Sequence, residues 1–156
     1  YELGKTTPSF DLETEVNHEF STEHITPELI EDTLNQFRGD IEQVPPQHSA
    51  VRVNGRRAYE HARKGDIIEL RKRAVHVSEF TVKTENLPTL GFEIACSKGT
   101  YIRSIARDLG QALDSGAYMS SLIRTHIGEY SVQQAVNMED IKDTEDFFKL
   151  VQQLPV

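Results

Sequence analysis

The chain has 156 residues and a formal net charge of −8 at pH 7, with 37% hydrophobic and 27% charged residues. This composition is typical of one globular domain, residues 1–156, that is large enough to bury its own core. No apolar run approaches the roughly 18 residues of a membrane-spanning helix and no signal peptide opens the sequence, so we expect a cytoplasmic protein without a membrane partner.

The first predicted element is the end of a strand at Leu3-Gly4, which runs into a polar loop over residues 5–14. Asp11 lies in this loop among Ser and Thr residues. A carboxylate in such surroundings caps a turn more often than it attacks a substrate. We therefore interpret Asp11 as a capping residue.

A helix is predicted to begin at Thr26-Pro27-Glu28, where an N-cap, a proline and a first-turn acid follow one another. Gly39 is predicted to end this helix. The apolar stripe that should face the core consists of Leu29, Ile30, Leu34 and Phe37.

Positive charge is concentrated in residues 47–75, where eight Lys and Arg residues against three acids give +5, while the rest of the chain carries −13. This asymmetry favours a local anion-binding patch on an acidic body. Aromatic residues among these cations suit the stacking of unpaired bases and the neutralisation of phosphates. A solvated charged surface or a flexible loop has a similar composition.

The same segment has recognisable local structure. Pro45-Pro46 begins it in an extended conformation, and residues 51–55 predict a short hairpin or the end of a strand. Residues 59–64 predict one or two helical turns. Strands follow at 67–70 and 75–82, and the apolar phase shifts between Val77 and Phe80, which predicts a β-bulge.

A further strand is predicted from alternating apolar residues that end at Cys96. The single cysteine excludes an internal disulfide, and on this apolar face we expect it to be a small buried hydrophobe. The six histidines lack the spacing of metal ligands, so we predict no metal site. A terminal amphipathic helix is predicted from Met138, Ile141, Phe147, Phe148 and Leu150.

The strand ending at Cys96 runs through a small polar turn into a helix with apolar residues from Ile102 onwards. Such a join aims backbone N–H groups and a positive dipole end at the space above the strand. Lys98 adds a cation there, and Arg103 faces either this space or solvent. The alternative is that Ser97 or Thr100 simply caps the helix.

The string CSKGTYIRSIARDLG, residues 96–110, resembles the corresponding stretch of the bacterial tRNA pseudouridine synthase B (TruB) family. Three other segments follow the order of this family. Residues 3–11 resemble its LG-x-x-T…D segment, residues 37–46 its F-x-G-x-I-x-Q-x-P-P segment, continued to Glu60, and residues 121–125 its L-x-R segment.

The resemblance implies an α+β fold with a mixed, mostly antiparallel sheet flanked by helices. It also implies an isomerase that flips a uridine out of the TΨC loop of tRNA and converts it to pseudouridine without a cofactor. In this family an Asp attacks the nucleoside. By resemblance Arg103 pairs with that Asp and orders the site, Tyr101 lies beside Arg103, and Leu122 lines the uracil pocket.

The basic insertion at residues 45–75 is implied to grip the TΨC arm of tRNA. The residues expected to bind RNA are His48, Arg52, Arg56, Arg57, Tyr59, Arg63, Lys64, Lys98 and Arg124. Nothing in the sequence resembles the PUA-type RNA-binding domain that some relatives carry at the C-terminus.

The family's catalytic Asp lies in a G-x-L-D-P segment upstream of LG-x-x-T, and this chain does not contain that segment. We therefore expect part of a catalytic domain that is inactive alone, in which Arg103 lacks the catalytic Asp as its partner. Exposed sheet edges should cause either self-association or marginal stability. One alternative is a non-catalytic RNA-binding module. Another, disfavoured by the long family strings, is an enzyme that binds a small phosphorylated ligand at the turn between Lys98 and Arg103.

Overall fold

Eleven strands and four α-helices occur in the part of the chain that the computed structural model describes, residues 1–49, 52–53, 56–62, 65, 70–141 and 143–151. The strands are β1 Glu2–Leu3, β2 Lys5–Thr6, β3 His18–Glu19, β4 Gly39–Gln43, β5 Arg52–Val53, β6 Arg56–Arg57, β7 Arg73–Lys83, β8 Gly91–Cys96, β9 Ala117–Tyr118, β10 His126–Ile127 and β11 Tyr130–Ser131. The helices are α1 Pro27–Leu34, α2 Ala58–Ala62, α3 Ile102–Ala112 and α4 Thr144–Val151. The chain divides into two compact units, Tyr1–Ser121 and Leu122–Val156.

The largest sheet of the first unit is antiparallel, with the strand order β4-β7-β8. The register between β7 and β8 shifts between Val77 and Glu79, which confirms the predicted β-bulge. Because of this shift, Val77 and Phe80 both lie in the core although they are three positions apart. Helices combined with small antiparallel sheets confirm the predicted α+β fold.

Helix α1 begins as predicted. The Thr26 hydroxyl accepts a hydrogen bond from the Leu29 N–H at 3.2 Å, and Pro27 is the first helical residue. The prediction for its end is wrong, because Leu34 is followed by a 3-10 turn, Asn35–Phe37. Gly39 is the first residue of β4 instead, with a φ of +82° that favours glycine.

The apolar stripe of α1 is narrower than predicted. Leu29 is 37% exposed, whereas Ile30 and Leu34 are fully buried. The side chain of Thr33 occupies the remaining buried position of the helix and donates to the Leu29 carbonyl at 2.6 Å. Leu29 therefore lies at the edge of the core.

Helix α3 forms the centre of the core of the first unit. Its buried residues recur at helical spacing and pack with residues of α1, β1, β7 and the segment before β8. Full burial of a Leu, Ile, Val or Phe side chain contributes about 1.5–3 kcal/mol. The fully buried members of this cluster are Leu3, Ile30, Leu34, Val77, Phe80, Leu90, Ile105, Ala106, Leu109, Leu113 and Ala117. The apolar side of α3 thus fixes the position of its polar side.

The N-terminal strand is held on both sides. Tyr1 donates its amino group to the Leu90 carbonyl at 2.7 Å, and the Leu90 N–H donates to the Tyr1 carbonyl at 2.8 Å. On its other side β1 pairs with β9. The loop that follows β1 and β2 therefore starts from a fixed point.

Part of the basic segment lies within the described residues. Strands β5 and β6 pair antiparallel, which confirms the predicted hairpin, although Asn54 and Gly55 lie outside the described residues. Helix α2 confirms helical structure near Tyr59, with an end at Ala62. Of the strand predicted at 67–70, only Leu70 is described, and it is buried.

In the second unit, β10 and β11 form an antiparallel hairpin. The terminal helix, α4, is shorter than predicted, because Met138 begins a separate 3-10 turn, Met138–Asp140. Phe147 and Phe148 are exposed on α4. None of the helices within the described ranges has the length and apolar character needed to span a membrane.

Gly110 lies where α3 contacts the segment leading into β9. A Cβ atom at this position would lie 2.5 Å from the carbonyl carbon of Gly116 and closer still to the nitrogen of Ala117. Alanine stabilises a helix by about 1 kcal/mol relative to glycine, but overpacking against fixed atoms typically costs about 1–3 kcal/mol or more. We expect Gly110→Ala to lower the free energy of unfolding by about 2 kcal/mol in urea denaturation.

Gln111→Ala is the matched control, because Gln111 is an exposed residue of the same helix. We expect it to change the free energy of unfolding by no more than about 0.5 kcal/mol. A Gly110→Ala variant at least as stable as the unmodified chain would show that residues 116–117 move aside readily.

Candidate active site

Arg103 lies in the first turn of α3, and its guanidinium group is held by three oxygen atoms from other segments. Nη1 donates to Asp11 Oδ2 at 2.8 Å and to the Ser9 carbonyl at 3.3 Å, and Nη2 donates to the His48 carbonyl at 2.7 Å. The side chains of Arg103 and Asp11 are each 20% exposed. Arg103 therefore faces the interior of a site and not bulk solvent.

This geometry gives Arg103 a carboxylate partner that the sequence analysis did not predict, because Asp11 forms an ion pair with it. The capping role predicted for Asp11 is confirmed by a hydrogen bond to its other carboxylate oxygen. Its Oδ1 accepts a hydrogen bond from the Glu13 N–H at 2.9 Å. Asp11 thus uses one carboxylate oxygen on its own turn and the other on Arg103.

Opposing effects act on the pKa of Asp11. Burial raises the pKa of this carboxyl, whereas hydrogen bonds from Ser9 and Glu13 and the charge of Arg103 lower it, and the lowering prevails. The carboxyl is therefore ionised at neutral pH. Because its pKa is lower in the folded chain than in the unfolded one, its contribution to stability is complete above about pH 4 and is lost as the pH falls through the folded-state pKa.

Small polar side chains build the turn that carries Asp11. Thr7 Oγ1 donates to the Asp11 carbonyl at 2.7 Å, and the Ser9 N–H donates to Thr14 Oγ1 at 3.0 Å. Thr7 and Ser9 are both buried. Phe10, directly before Asp11, has a φ of +62°, in the left-handed region that bulky residues rarely adopt.

Residues 43–49 lie along the polar side of α3. The buried amide of Gln43 donates to the Tyr101 carbonyl at 3.1 Å and accepts the Tyr101 N–H at 2.7 Å. The Val44 carbonyl accepts bonds from Ser104 Oγ at 2.8 Å and from Arg107 Nη2 at 3.1 Å. These contacts hold the segment in place, so that the His48 carbonyl lies within reach of Arg103.

Arg107 is a second arginine on α3, one turn after Arg103, and it is not among the predicted site residues. Its guanidinium carbon lies 5.1 Å from the centre of the Phe10 ring, and its Nε donates to Asp108 Oδ1 at 2.6 Å. Its side chain is 17% exposed. The spacing of four between the two arginines is a sequence signal for a shared helix face.

The turn before α3 differs from the simple capping alternative. Tyr101 is the N-cap and makes no side-chain cap bond, so neither Ser97 nor Thr100 caps the helix. Thr100 Oγ1 instead donates to the Ser97 carbonyl at 2.9 Å, and Lys98 is exposed.

Cys96 is exposed, so the prediction that it is buried is wrong. It is the last residue of β8, where the strand leaves the core. Nearer the start of the same strand, Phe92 stacks on Tyr1 with ring centroids 4.1 Å apart. The Tyr1 hydroxyl donates to the Ile102 carbonyl at 3.1 Å, and burial raises its pKa well above the usual value.

The residues predicted to bind RNA are only partly placed. The backbones of Arg52, Arg56 and Arg57 lie in the β5–β6 hairpin, and Arg63 and Lys64 lie outside the described residues. The Tyr59 N–H donates to the Ser49 carbonyl at 3.0 Å, which links α2 to residues 43–49.

His48 contributes its carbonyl to the site. Its Nδ1 atom is buried and has no hydrogen-bond partner in the described part of the chain. The structure thus brings together Tyr101, Arg103 and His48, and adds Asp11 and Arg107.

Two predicted residues belong to the second unit. Leu122 is 48% exposed, and Arg124 is also exposed. Across the described ranges of both units, no group of three or more His, Cys, Asp or Glu side chains is arranged to hold a metal ion.

Two family models match the chain. The model described as TruB family pseudouridylate synthase, N terminal domain, matches residues 1–102. The model described as tRNA pseudouridylate synthase B C-terminal domain matches residues 103–152.

Curated relatives named tRNA pseudouridine synthase B match most of the chain. The protein of Phocaeicola vulgatus is 47% identical over 142 residues, 91% of this chain and 60% of the relative. The protein of Parabacteroides distasonis is 49% identical over 141 residues, 90% of this chain and 60% of the relative. The chain therefore spans about 60% of the length of these relatives.

A solved structure shares the fold. The crystal structure of a Cbf5-Nop10-Gar1 complex contains a chain that matches with a TM-score of 0.60 and 28% sequence identity, covering 80% of this chain and 33% of that chain. The first family model alone covers more than half of the sequence, and the second continues from its end almost to the C-terminus. The chain belongs to the TruB family of pseudouridylate synthases.

Proposed function

We propose that this chain is part of an enzyme that converts a uridine in the TΨC arm of tRNA to pseudouridine, without a cofactor and in the cytoplasm. Membership of the TruB family and the names of the relatives support this proposal. Because the chain spans about 60% of the length of those relatives, the activity, substrate and partner are proposed for the whole protein.

The observation that carries the proposal is the anchored guanidinium of Arg103. An arginine has five N–H donors, and Asp11 together with two backbone carbonyls takes three of them. Among the described residues, the other two donors, on Nε and Nη2, have no hydrogen-bond acceptor. Adjacent guanidinium nitrogens can bind the two oxygens of one carboxylate. Arg103 is thus suited to hold a second carboxylate while Asp11 fixes its orientation.

By family resemblance, the second carboxylate is the catalytic Asp of the G-x-L-D-P segment. That Asp attacks the nucleoside, the glycosidic bond breaks, and the ring rejoins through carbon. A nucleophilic carboxylate must stay ionised, and an adjacent guanidinium lowers its pKa. We assign this task to Arg103.

Tyr101 and Leu122 are the other residues for which family resemblance implies a role in catalysis. The backbone of Tyr101 is fixed on both its N–H and its carbonyl by Gln43, so its position relative to Arg103 is set. Leu122, with a half-exposed side chain, is proposed as the apolar wall of the uracil pocket. Such a wall excludes water that would hydrolyse a covalent intermediate.

The activity is tested by fusing in front of Tyr1 a TruB-family segment that carries the G-x-L-D-P sequence. We expect this protein to release tritium from unmodified tRNA labelled at C5 of uridine. Arg103→Lys should lower kcat about 100-fold, because lysine keeps the charge but cannot bind several acceptors in one plane. The KM for tRNA should change little.

The chain without the fused segment is the control, and we expect it to form no pseudouridine. If the unfused chain were active and its Asp11→Ala variant inactive, Asp11 would be the nucleophile and the role of Arg103 would be different. Binding of tRNA by the fused protein without any turnover would instead favour a non-catalytic RNA-binding protein.

RNA binding is assigned to the basic segment 47–75 and to Lys98, which is exposed in the turn before α3. The slope of log affinity against log salt is negative, and each phosphate contact that is lost makes it shallower by about 0.7–0.9. We expect the Arg56→Ala, Arg57→Ala double variant to make this slope shallower by about 1.4–1.8 in a tRNA-binding titration.

The matched control replaces two lysines that lie beside carboxylates. Lys5 Nζ lies 3.7 Å from Glu19, and Lys83 Nζ lies 3.7 Å from Glu93. Their replacement by Ala removes the same formal charge but no proposed phosphate contact, so the slope should be unchanged. An equally shallow slope in both double variants, relative to the unmodified chain, would show that only net charge matters. An unchanged slope in the arginine variant would contradict the assignment of these contacts.

We also propose self-association through the free edge of β8. Within the described residues of the first unit, β8 pairs with β7 on one side only, and Glu93, Ala95 and Cys96 are exposed. An unpaired strand edge is a template for pairing with another strand. A second copy of β8 fits this edge as an antiparallel partner.

We expect the mass measured by light scattering during size-exclusion chromatography to rise with concentration from monomer towards dimer. Ala95→Lys should suppress this rise, because charge blunts an edge strand, and the new lysine lies opposite Glu79 within the sheet. Ala95→Ser is the control that leaves the charge unchanged. A monomer at all concentrations in the unmodified chain would contradict the proposal.

A further inference from the structure

Phe10 has an unusual backbone conformation at a position next to the site. Its φ of +62° is costly for a bulky side chain and persists only when the surroundings fix it. Phe10 is followed directly by Asp11, the partner of Arg103. The contacts that hold Phe10 therefore also set the direction of the Asp11 carboxylate.

The side chain of Arg107 contacts the ring of Phe10. Its guanidinium carbon lies 5.1 Å from the centre of the Phe10 ring, within the range of a cation–π interaction. The same group donates to the Val44 carbonyl at 3.1 Å and to Asp108 Oδ1 at 2.6 Å. With 17% exposure, Arg107 is held in one orientation by these partners.

The contacts of Arg107 parallel those of Arg103. Arg103 binds Asp11 and the His48 carbonyl. Arg107, one turn later on α3, binds Phe10, the residue before Asp11, and the carbonyl of Val44, in the same segment 43–49 as His48. Both arginines thus join the loop before β3 to residues 43–49 through the same face of α3. A movement of Arg107 would displace two of the segments that hold Arg103.

We propose that Arg107 and Phe10 form a positioning pair that holds Asp11, and through it Arg103, in the orientation required for uridine isomerisation. This inference rests on the proposed function. Arg107 does not touch the reacting atoms. Its contribution is to keep the strained turn closed, so that Asp11 Oδ2 remains available for the Arg103 guanidinium.

The first measurement does not require activity. In the 156-residue chain, the pKa of the Asp11 carboxyl lies below its usual value, partly because of Arg103. We expect Arg107→Met, followed by carbon-13 NMR titration, to raise the pKa of Asp11 towards that of a free aspartate. Phe10→Gly should do the same, although glycine removes the strain at positive φ.

The second measurement uses the fused protein described above. We expect Arg107→Met and Phe10→Gly each to lower kcat by about 10- to 100-fold with a KM for tRNA within about twofold, because misplacement of an orienting group acts on the chemical step. In an Arg103→Lys background, Arg107→Met should have little further effect, since both act through one group.

Arg38→Met is the matched control. Arg38 also donates to a backbone carbonyl, that of Phe80, with Nε at 3.1 Å and Nη2 at 2.8 Å, but its hydrogen bonds within the described residues do not reach the Asp11 turn. We expect it to lower stability without altering the pKa of Asp11 or kcat. Unfolding in urea reports the stability of each variant.

The proposal is overturned if Arg107→Met lowers stability while the pKa of Asp11 and kcat stay unchanged, because Arg107 would then be a purely structural residue. It is also overturned if the effects of Arg107→Met and Arg103→Lys on kcat are additive. An inactive fused protein would contradict the proposed function, and the NMR titration would still decide whether Arg107 positions Asp11.

Discussion

The ion pair between Arg103 and Asp11 is the contact on which the arrangement of the site depends. It joins residues 92 positions apart in the sequence, one on the central helix and the other in a loop without regular structure. A partly buried pair contributes little net stability, since desolvation offsets the attraction between the charges. Removal of one partner is nevertheless costly, because the other charge is then left buried. The pair therefore acts chiefly by fixing geometry.

The positions of the site residues are fixed because two loops are hydrogen-bonded to a rigid helix, α3. The apolar side of α3 is fully buried, and its polar side binds two irregular segments through backbone carbonyls and a carboxylate. Neither segment could hold its acceptors in place alone, since its backbone groups would otherwise turn to solvent. The buried amide of Gln43 adds a contact of the same kind at the N-terminus of α3.

Local features were predictable from the sequence, because they depend on neighbouring residues. The cap at Thr26, the bulge in β7 and the join from β8 to α3 follow from spacing and from the chemistry of single residues. The pairing of Asp11 with Arg103 was not predictable in this way, since no local pattern links a loop to a helix so distant in sequence. The exposure of Cys96 was missed for a related reason. Alternation predicts on which face of the sheet a side chain lies, but not whether other residues still cover that face at the end of the strand.

One guanidinium group has too few N–H donors to make all the hydrogen bonds to the two loops and also to bind a further carboxylate. The guanidinium of Arg103 already donates to three acceptors, and any further donor spent on the loop would be unavailable to a nucleophilic carboxylate. Arg107 makes further contacts to the same segments, with its guanidinium group over the Phe10 ring and an N–H on the Val44 carbonyl. Because the two arginines are one helical turn apart, the same backbone fixes the distance between them. Within the described residues, Arg103 is thus immobilised while two of its donors have no acceptor, as the orienting role that we propose for it requires.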